Sequence, residues 1–274
     1  MKAMFIQLVF SCLLLSCSNI NRDKPVDKSE LSGRDYRLFQ NTQAWELAKA
    51  VQDEDVTKID RIVSENSKII NYQDPKYGNT LLKLTVMNQQ LKSFKALLER
   101  RADVHIHNTF DGTSSLIEAC NSKYYDITFA QMLVEYGANV NDVETGERRQ
   151  GNRTRLTPLI AASKTGNLDL VKYLISKGAD INYQNEFGQS ALSASVMINK
   201  YEISYYLLRN GADYKRPIFY RPDYSIPAEN RSPSDKGKPM YLADVLKENV
   251  ADVDTDEYKY KTLIFEFLKS KGME

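Results

Sequence analysis

The chain has 274 residues, with 37 basic and 36 acidic side chains and a formal net charge of +1. That balance supplies neither the broad basic field that holds nucleic acid nor an acidic field for basic partners. Apolar residues at 42% and charged residues at 27% fit a folded globular chain, while two histidines and three cysteines leave little for a zinc cage, a disulfide framework or a histidine-centred active site.

The first segment opens with Lys2 and runs apolar from Met4 to Leu15, which is too short to span a bilayer as a helix. Leu14-Leu15-Ser16-Cys17 then resembles a bacterial lipobox, although Leu15 is bulkier than the usual Ala or Ser. The resemblance implies a signal peptide over 1–16, acylation of Cys17 and anchoring to a membrane through it. Ser18, where an Asp would favour the inner membrane, implies the outer membrane of a Gram-negative bacterium, facing the periplasm. Residues 17–42 are polar and aperiodic, so a lipidated cysteine followed by a flexible tether is expected there. Cys120 would then be the one thiol left. No intramolecular disulfide follows, and a small buried apolar residue is expected.

Residues 43–274 carry helical patterning. Leu47, Ala50 and Val51 mark one helix, and Val56, Ile59, Ile62 and Val63 mark the next. Four segments then repeat: Gly78-Asn-Thr-Leu-Leu82, Gly112-Thr-Ser-Ser-Leu116, Arg155-Leu-Thr-Pro-Leu159 and Gly188-Gln-Ser-Ala-Leu192. Their final leucines lie 34, 43 and 33 residues apart. A second landmark follows each, at Ala102-Asp-Val, Ala138-Asn-Val, Ala179-Asp-Ile and Ala212-Asp-Tyr. This pattern resembles the ankyrin repeat, with its period near 33 and its T-P-L-H-x-A core. The resemblance implies an all-α solenoid of helix-turn-helix repeats joined by hairpin-like loops. In the closest match, Thr157 is placed to cap a helix, Pro158 to start it, and Gly178 to end its partner. Met240 to Leu246 and Tyr258 to Gly272 read as a last helix pair. Four clear repeats between two capping repeats are therefore expected. Arg101 and Asn66 stand where the family prefers glycine, and Asn66 is expected to tolerate the left-handed conformation. Lys83, Ile117, Ile160 and Ser193 replace the family histidine, so its hydrogen bond within the repeat is expected to be missing throughout.

Two insertions interrupt the array. The loop 145–155 carries Arg148, Arg149, Arg153 and Arg155; it reads either as a solvated loop or as a contact for an acidic partner or lipid head groups. The segment 216–239 holds five of the eight prolines, so it is neither helix nor central strand, and it carries Phe219, Tyr220 and Tyr224. Those aromatics either fold back on the solenoid or face a partner. Tyr72, Tyr77, Phe110, Tyr183 and Phe187 fall at hairpin positions, either stacked hairpin to hairpin or presented for recognition.

The chain has no G-x-S-x-G, no G-x-x-x-x-G-K-[ST], no H-E-x-x-H and no paired C-x-x-C. A non-enzymatic binding protein without cofactor or metal is expected. Ankyrin-repeat lipoproteins of Gram-negative bacteria include immunity proteins that neutralise lipase effectors of type VI secretion, and the chain looks like that group. The resemblance implies a lipase effector as protein partner. The alternative is a structural adaptor of the envelope.

Overall fold

The computed structural model describes residues 22–146, 155–222, 224–225 and 237–273. Among them, twelve α-helices fall into six antiparallel pairs. These are α1 (Trp45–Gln52) and α2 (Val56–Glu65), α3 (Leu81–Met87) and α4 (Leu91–Glu99), α5 (Ser115–Cys120) and α6 (Ile127–Glu135), α7 (Pro158–Thr165) and α8 (Leu168–Ser176), α9 (Ala191–Met197) and α10 (Tyr201–Arg209), and α11 (Leu242–Glu248) and α12 (Asp256–Ser270). The odd-numbered helices α1, α3, α5, α7 and α9 stack in sequence as an inner layer. The even-numbered helices form the outer layer; Phe94 and Phe129 join α4 to α6 edge to face, and Tyr173 donates its hydroxyl to the Gln131 carbonyl. The architecture is an all-α ankyrin-type solenoid of four central pairs between two terminal ones.

The repeated sequence landmarks are the caps of the inner helices. Thr80, Ser114, Thr157 and Ser190 accept hydrogen bonds from the backbone amides of Lys83, Ile117, Ile160 and Ser193. Each satisfies a donor that the helix start leaves open. From α4 onward the outer helices end in the left-handed region, which glycine enters without Cβ strain; φ is +94° at Gly137 and +89° at Gly178. Arg101 occupies the same position at φ +64°. Leu47, Leu84, Leu97, Leu133, Leu174 and Leu207 belong to one core that runs the length of the solenoid. A smaller cluster, Ile117, Leu156, Ile160 and Ala194, sits under the hairpins.

Asparagine clamps reinforce the stack. Asn71 accepts from the Asp103 amide at 2.9 Å, Asn141 from Asp180 at 2.7 Å and Asn182 from Asp213 at 2.8 Å. Asn141 and Asn182 also donate to the carbonyls of Gly178 and Gly211.

The structure corrects several expectations. Residues 22–42, expected as part of a tether, are folded against the solenoid. Two short 3-10 turns, Lys28–Glu30 and Tyr36–Phe39, carry Leu31, Tyr36, Leu38 and Phe39 into the core. Asn66 is extended at φ −148° and caps a 3-10 turn through the Lys68 amide, so it needs no left-handed backbone. The histidine position is not silent throughout: Ser193 accepts from the Ser190 amide to complete a capping box, and Lys83 reaches across to the next hairpin at Thr113. The last pair starts and ends about two residues away from the expected bounds. The insertion 216–239 contributes an antiparallel ribbon, β1 (Phe219–Arg221) against β2 (Lys238–Met240), with Tyr220 opposite Pro239. Both strands are edges, which is where proline is tolerated.

Candidate functional site

Each hairpin is a turn built on one side chain. Asp74 accepts from the amides of Lys76, Tyr77 and Asn79, Asn108 from Asp111 and Gly112, and Asn185 from Phe187 and Gln189. Such Asx turns fix the residues at the tips. At the interrupted hairpin, Glu144 is buried and accepts from the Leu156 amide, which closes the base of the insertion. The Gly112 backbone approaches Gly146 so closely that a Cβ on Gly112 would lie 1.7 Å from the Gly146 nitrogen. The insertion therefore leaves the solenoid in contact with the preceding hairpin, and Thr145 donates to the Gly112 carbonyl.

The expected site residues separate into two groups. Phe110 (47% exposed) and Phe187 (49%) stand out at hairpin tips, and Tyr220 on the ribbon and Tyr224 just past it are exposed. The others serve internal contacts. Tyr72 packs against Phe39 at 6.3 Å. Tyr77 donates to the Leu31 carbonyl and meets Phe110 edge to face at 5.3 Å, which is the hairpin-to-hairpin stack. Tyr183 lies against the small cluster under the hairpins, and Phe219 is half-buried under the Arg221 guanidinium. Arg155 donates to the Glu144 carbonyl at 2.8 Å and faces Glu186 at 4.0 Å, with φ at +40°. It braces the insertion. Cys17, Arg148, Arg149 and Arg153 lie outside the described residues.

Sequence reasoning missed the polar layer behind the tips. Lys83 is almost fully buried, donates to the Thr113 carbonyl and hydroxyl, and lies 3.9 Å from Asp111. Burial lowers its pKa against the opposing pull of Asp111, Glu118, Glu144 and Asp74. His107 meets Asp142 at 2.9 Å, and that hydrogen bond raises the imidazole pKa despite partial burial. A lysine at a cap+3 position is the one sequence signal that pointed there. The sequence also gave no signal for the face covered by the first segment. There, Tyr36 donates to Gln90, Arg34 to the Met87 carbonyl and Lys76 to the Leu31 carbonyl, so residues 31–36 lie across the inner layer from hairpin tip to helix end. An open cleft of about 850 Å³ beside them is lined by Arg22, Arg34, Tyr36, Asn88 and Gln90. Among the described residues no cluster of His, Cys, Asp and Glu could hold a metal ion, and no helix is long and apolar enough to cross a membrane.

Stacked helix pairs, capped inner helices and protruding hairpins define an ankyrin-type solenoid fold, in which each unit contacts its neighbours along one axis. Residues 143–217 match the family model described as Ankyrin repeats (3 copies). The chain is 35% identical over 88 residues to an ankyrin repeat protein of Acanthamoeba polyphaga mimivirus, covering 30% of this chain and 52% of that protein. It is 24% identical over 203 residues to the ankyrin repeat and KH domain-containing protein mask-1 of Caenorhabditis elegans, covering 63% of this chain and 7% of that one. Against the neurogenic locus notch homolog protein 1 of Xenopus laevis it is 25% identical over 164 residues, covering 59% of this chain and 6% of the other. The chain thus spans about half the mimiviral relative and under a tenth of the other two.

Proposed function

We propose that this protein is a lipid-anchored inhibitor: a solenoid held through acylated Cys17 on the periplasmic side of the outer membrane, which neutralises a toxic lipase effector by binding it. The observation that carries the binding half is the pair of exposed aromatic tips, Phe110 and Phe187, held on side-chain-built turns of a packed scaffold. Rigid aromatic anchors bury large area at low entropy cost. The anchoring half rests on Lys2, the apolar run and Leu14-Leu15-Ser16-Cys17. An effector that attacks phospholipid has to be caught at the membrane, where tethering raises the inhibitor's effective concentration. The protein acts by covering its partner, with no chemistry of its own.

The test is calorimetry and binding kinetics of the acylated chain with a lipase encoded beside it. Tight binding is expected. Serine at Phe110 and Phe187 should speed dissociation, and Glu at Arg148, Arg149 and Arg153 should slow association. Absence of binding by the wild-type chain would refute the immunity reading and leave the envelope adaptor.

A further inference from the structure

In this solenoid the turns that join each inner helix to its outer partner lie at the end of the helices opposite the hairpins, and adjacent turns are tied together. Gln90 donates to the Gln52 carbonyl at 2.8 Å, and the Lys92 amide to Glu54. Arg34 bridges the Met87 carbonyl and the Tyr125 hydroxyl, both at 2.7 Å. The Lys200 side chain lies against Gly166, and Asn249 donates to Asn199 at 3.0 Å. With α5 stacked on α7 between these two groups of ties, the turns line one edge of the molecule.

Two independent features of this edge agree. The first is its surface. Val250 (90% exposed), Tyr124 (76%), Val253 (70%) and Met197 (54%) are four of the five most exposed large apolar side chains among the described residues, and all sit in these turns or at their margins. Ile198 adds to the same stretch. Lys123, Lys164, Lys200 and Lys247 are exposed on the same edge, while Glu248, Asp252, Asp254 and Asp256 flank Val250 and Val253 and Asp126 lies beside Tyr124, so the edge as a whole is near neutral. Exposed apolar side chains with lysines and a tyrosine spaced along the same edge suit the interface of a bilayer, where lysine stems lie along apolar surface and their charges reach water.

The second feature is the chain's course. Arg22 is fixed to this same edge: its guanidinium forks onto Asp53 at 2.6 and 2.9 Å and also reaches Gln52. Five Cα-to-Cα steps join it to Cys17, and a fully extended chain of that length spans about 18 Å. An acyl group on Cys17 therefore lies within one short step of the turn edge, not at the end of a leash of some 25 residues.

We infer that the edge formed by the inner-to-outer helix turns docks on the lipid bilayer, with Val250, Val253, Met197 and Tyr124 at the interface. This rests on acylation of Cys17, as proposed above. It sets the orientation of the bound protein: inner helices stand on the membrane, and the hairpin tips project away from it toward the partner. Because the edge is near neutral, insertion of apolar side chains holds it, and salt should matter little.

The experiment uses the full acylated chain in vesicles of phosphatidylethanolamine and phosphatidylglycerol that carry spin-labelled lipid. A fluorophore is placed through Val250→Cys or, in a second protein, through Phe187→Cys. Quenching at least twofold stronger at position 250 than at 187, retained in high salt, is expected. Equal quenching at both positions, stronger quenching at 187, or an unquenched position 250 in a self-associated chain would overturn the docking. Fatty-acid labelling of the wild type and of Cys17→Ala runs in parallel. An unlabelled wild type removes the anchor and this proposal with it; a labelled chain with position 250 unquenched removes the docking alone.

Discussion

Replacing Phe39 with alanine separates a folded first segment from a tether. Phe39 is fully buried (0% exposed) in the 3-10 turn Tyr36–Phe39, with its ring beside Tyr72. Removing a buried phenylalanine side chain forfeits its transfer free energy and leaves a cavity, together costing about 3–5 kcal/mol. A tether residue would cost nothing. In a solenoid each unit couples mainly to its neighbours, so the loss should fall on the first two helix pairs. The chain carries its own reporter there. Trp45 is the single tryptophan, and its indole N–H donates to Asp23 in the first segment at 2.7 Å. Its emission follows the docking of that segment onto α1. With a urea slope of about 2 kcal/mol/M, a loss of about 3 kcal/mol lowers the Trp45 midpoint by about 1.5 M. Far-ultraviolet circular dichroism, dominated by the other helices, should move less. An unchanged Trp45 midpoint in Phe39→Ala would refute the reasoning and return residues 22–42 to a flexible linker.

Three further predictions follow from the interior. The His107 pKa is raised above its ordinary 6.5 by Asp142, so the stabilisation is fully present below pH 6.5 and is lost as pH rises through the folded value; the thermal midpoint should fall across that window, and His107→Gln should flatten the fall. Gly112→Ala should lower the thermal midpoint markedly, because a Cβ there meets the Gly146 backbone and φ is +75°; the same change at Gly211, with nothing near the added atom, should cost only the strain of its left-handed backbone. Cys120 is buried and its thiol pKa is pushed up by burial, so maleimide should label it in denaturant and not in the native protein at pH 8.

The solenoid itself was legible in the sequence because its determinants are local and repeated. Thr80, Ser114, Thr157 and Ser190 cap helices through hydroxyls three residues from the amides they bind, and Gly178 and Gly272 end helices through their own backbone freedom. A motif that recurs every 33 residues or so announces itself whatever surrounds it. The exposed tips Phe110 and Phe187 were legible for the same reason, since a turn residue in a known repeat has a known place.

What the sequence did not determine depends on partners distant along the chain. Leu31, Leu38 and Phe39 have no helical or alternating period, and they are core only because the inner layer and the Tyr72 and Tyr77 hairpin receive them. Arg155 and Phe110 share hairpin positions with other candidates, yet Arg155 is drawn inward by Glu144 and Glu186 while Phe110 remains half exposed. Lys83 looks like a surface residue until Thr113 and Asp111, thirty residues on, close over it. Burial and pairing of this kind are properties of two surfaces meeting. A residue's own type fixes what it can do, and the tertiary structure decides whether a contact or the solvent receives it.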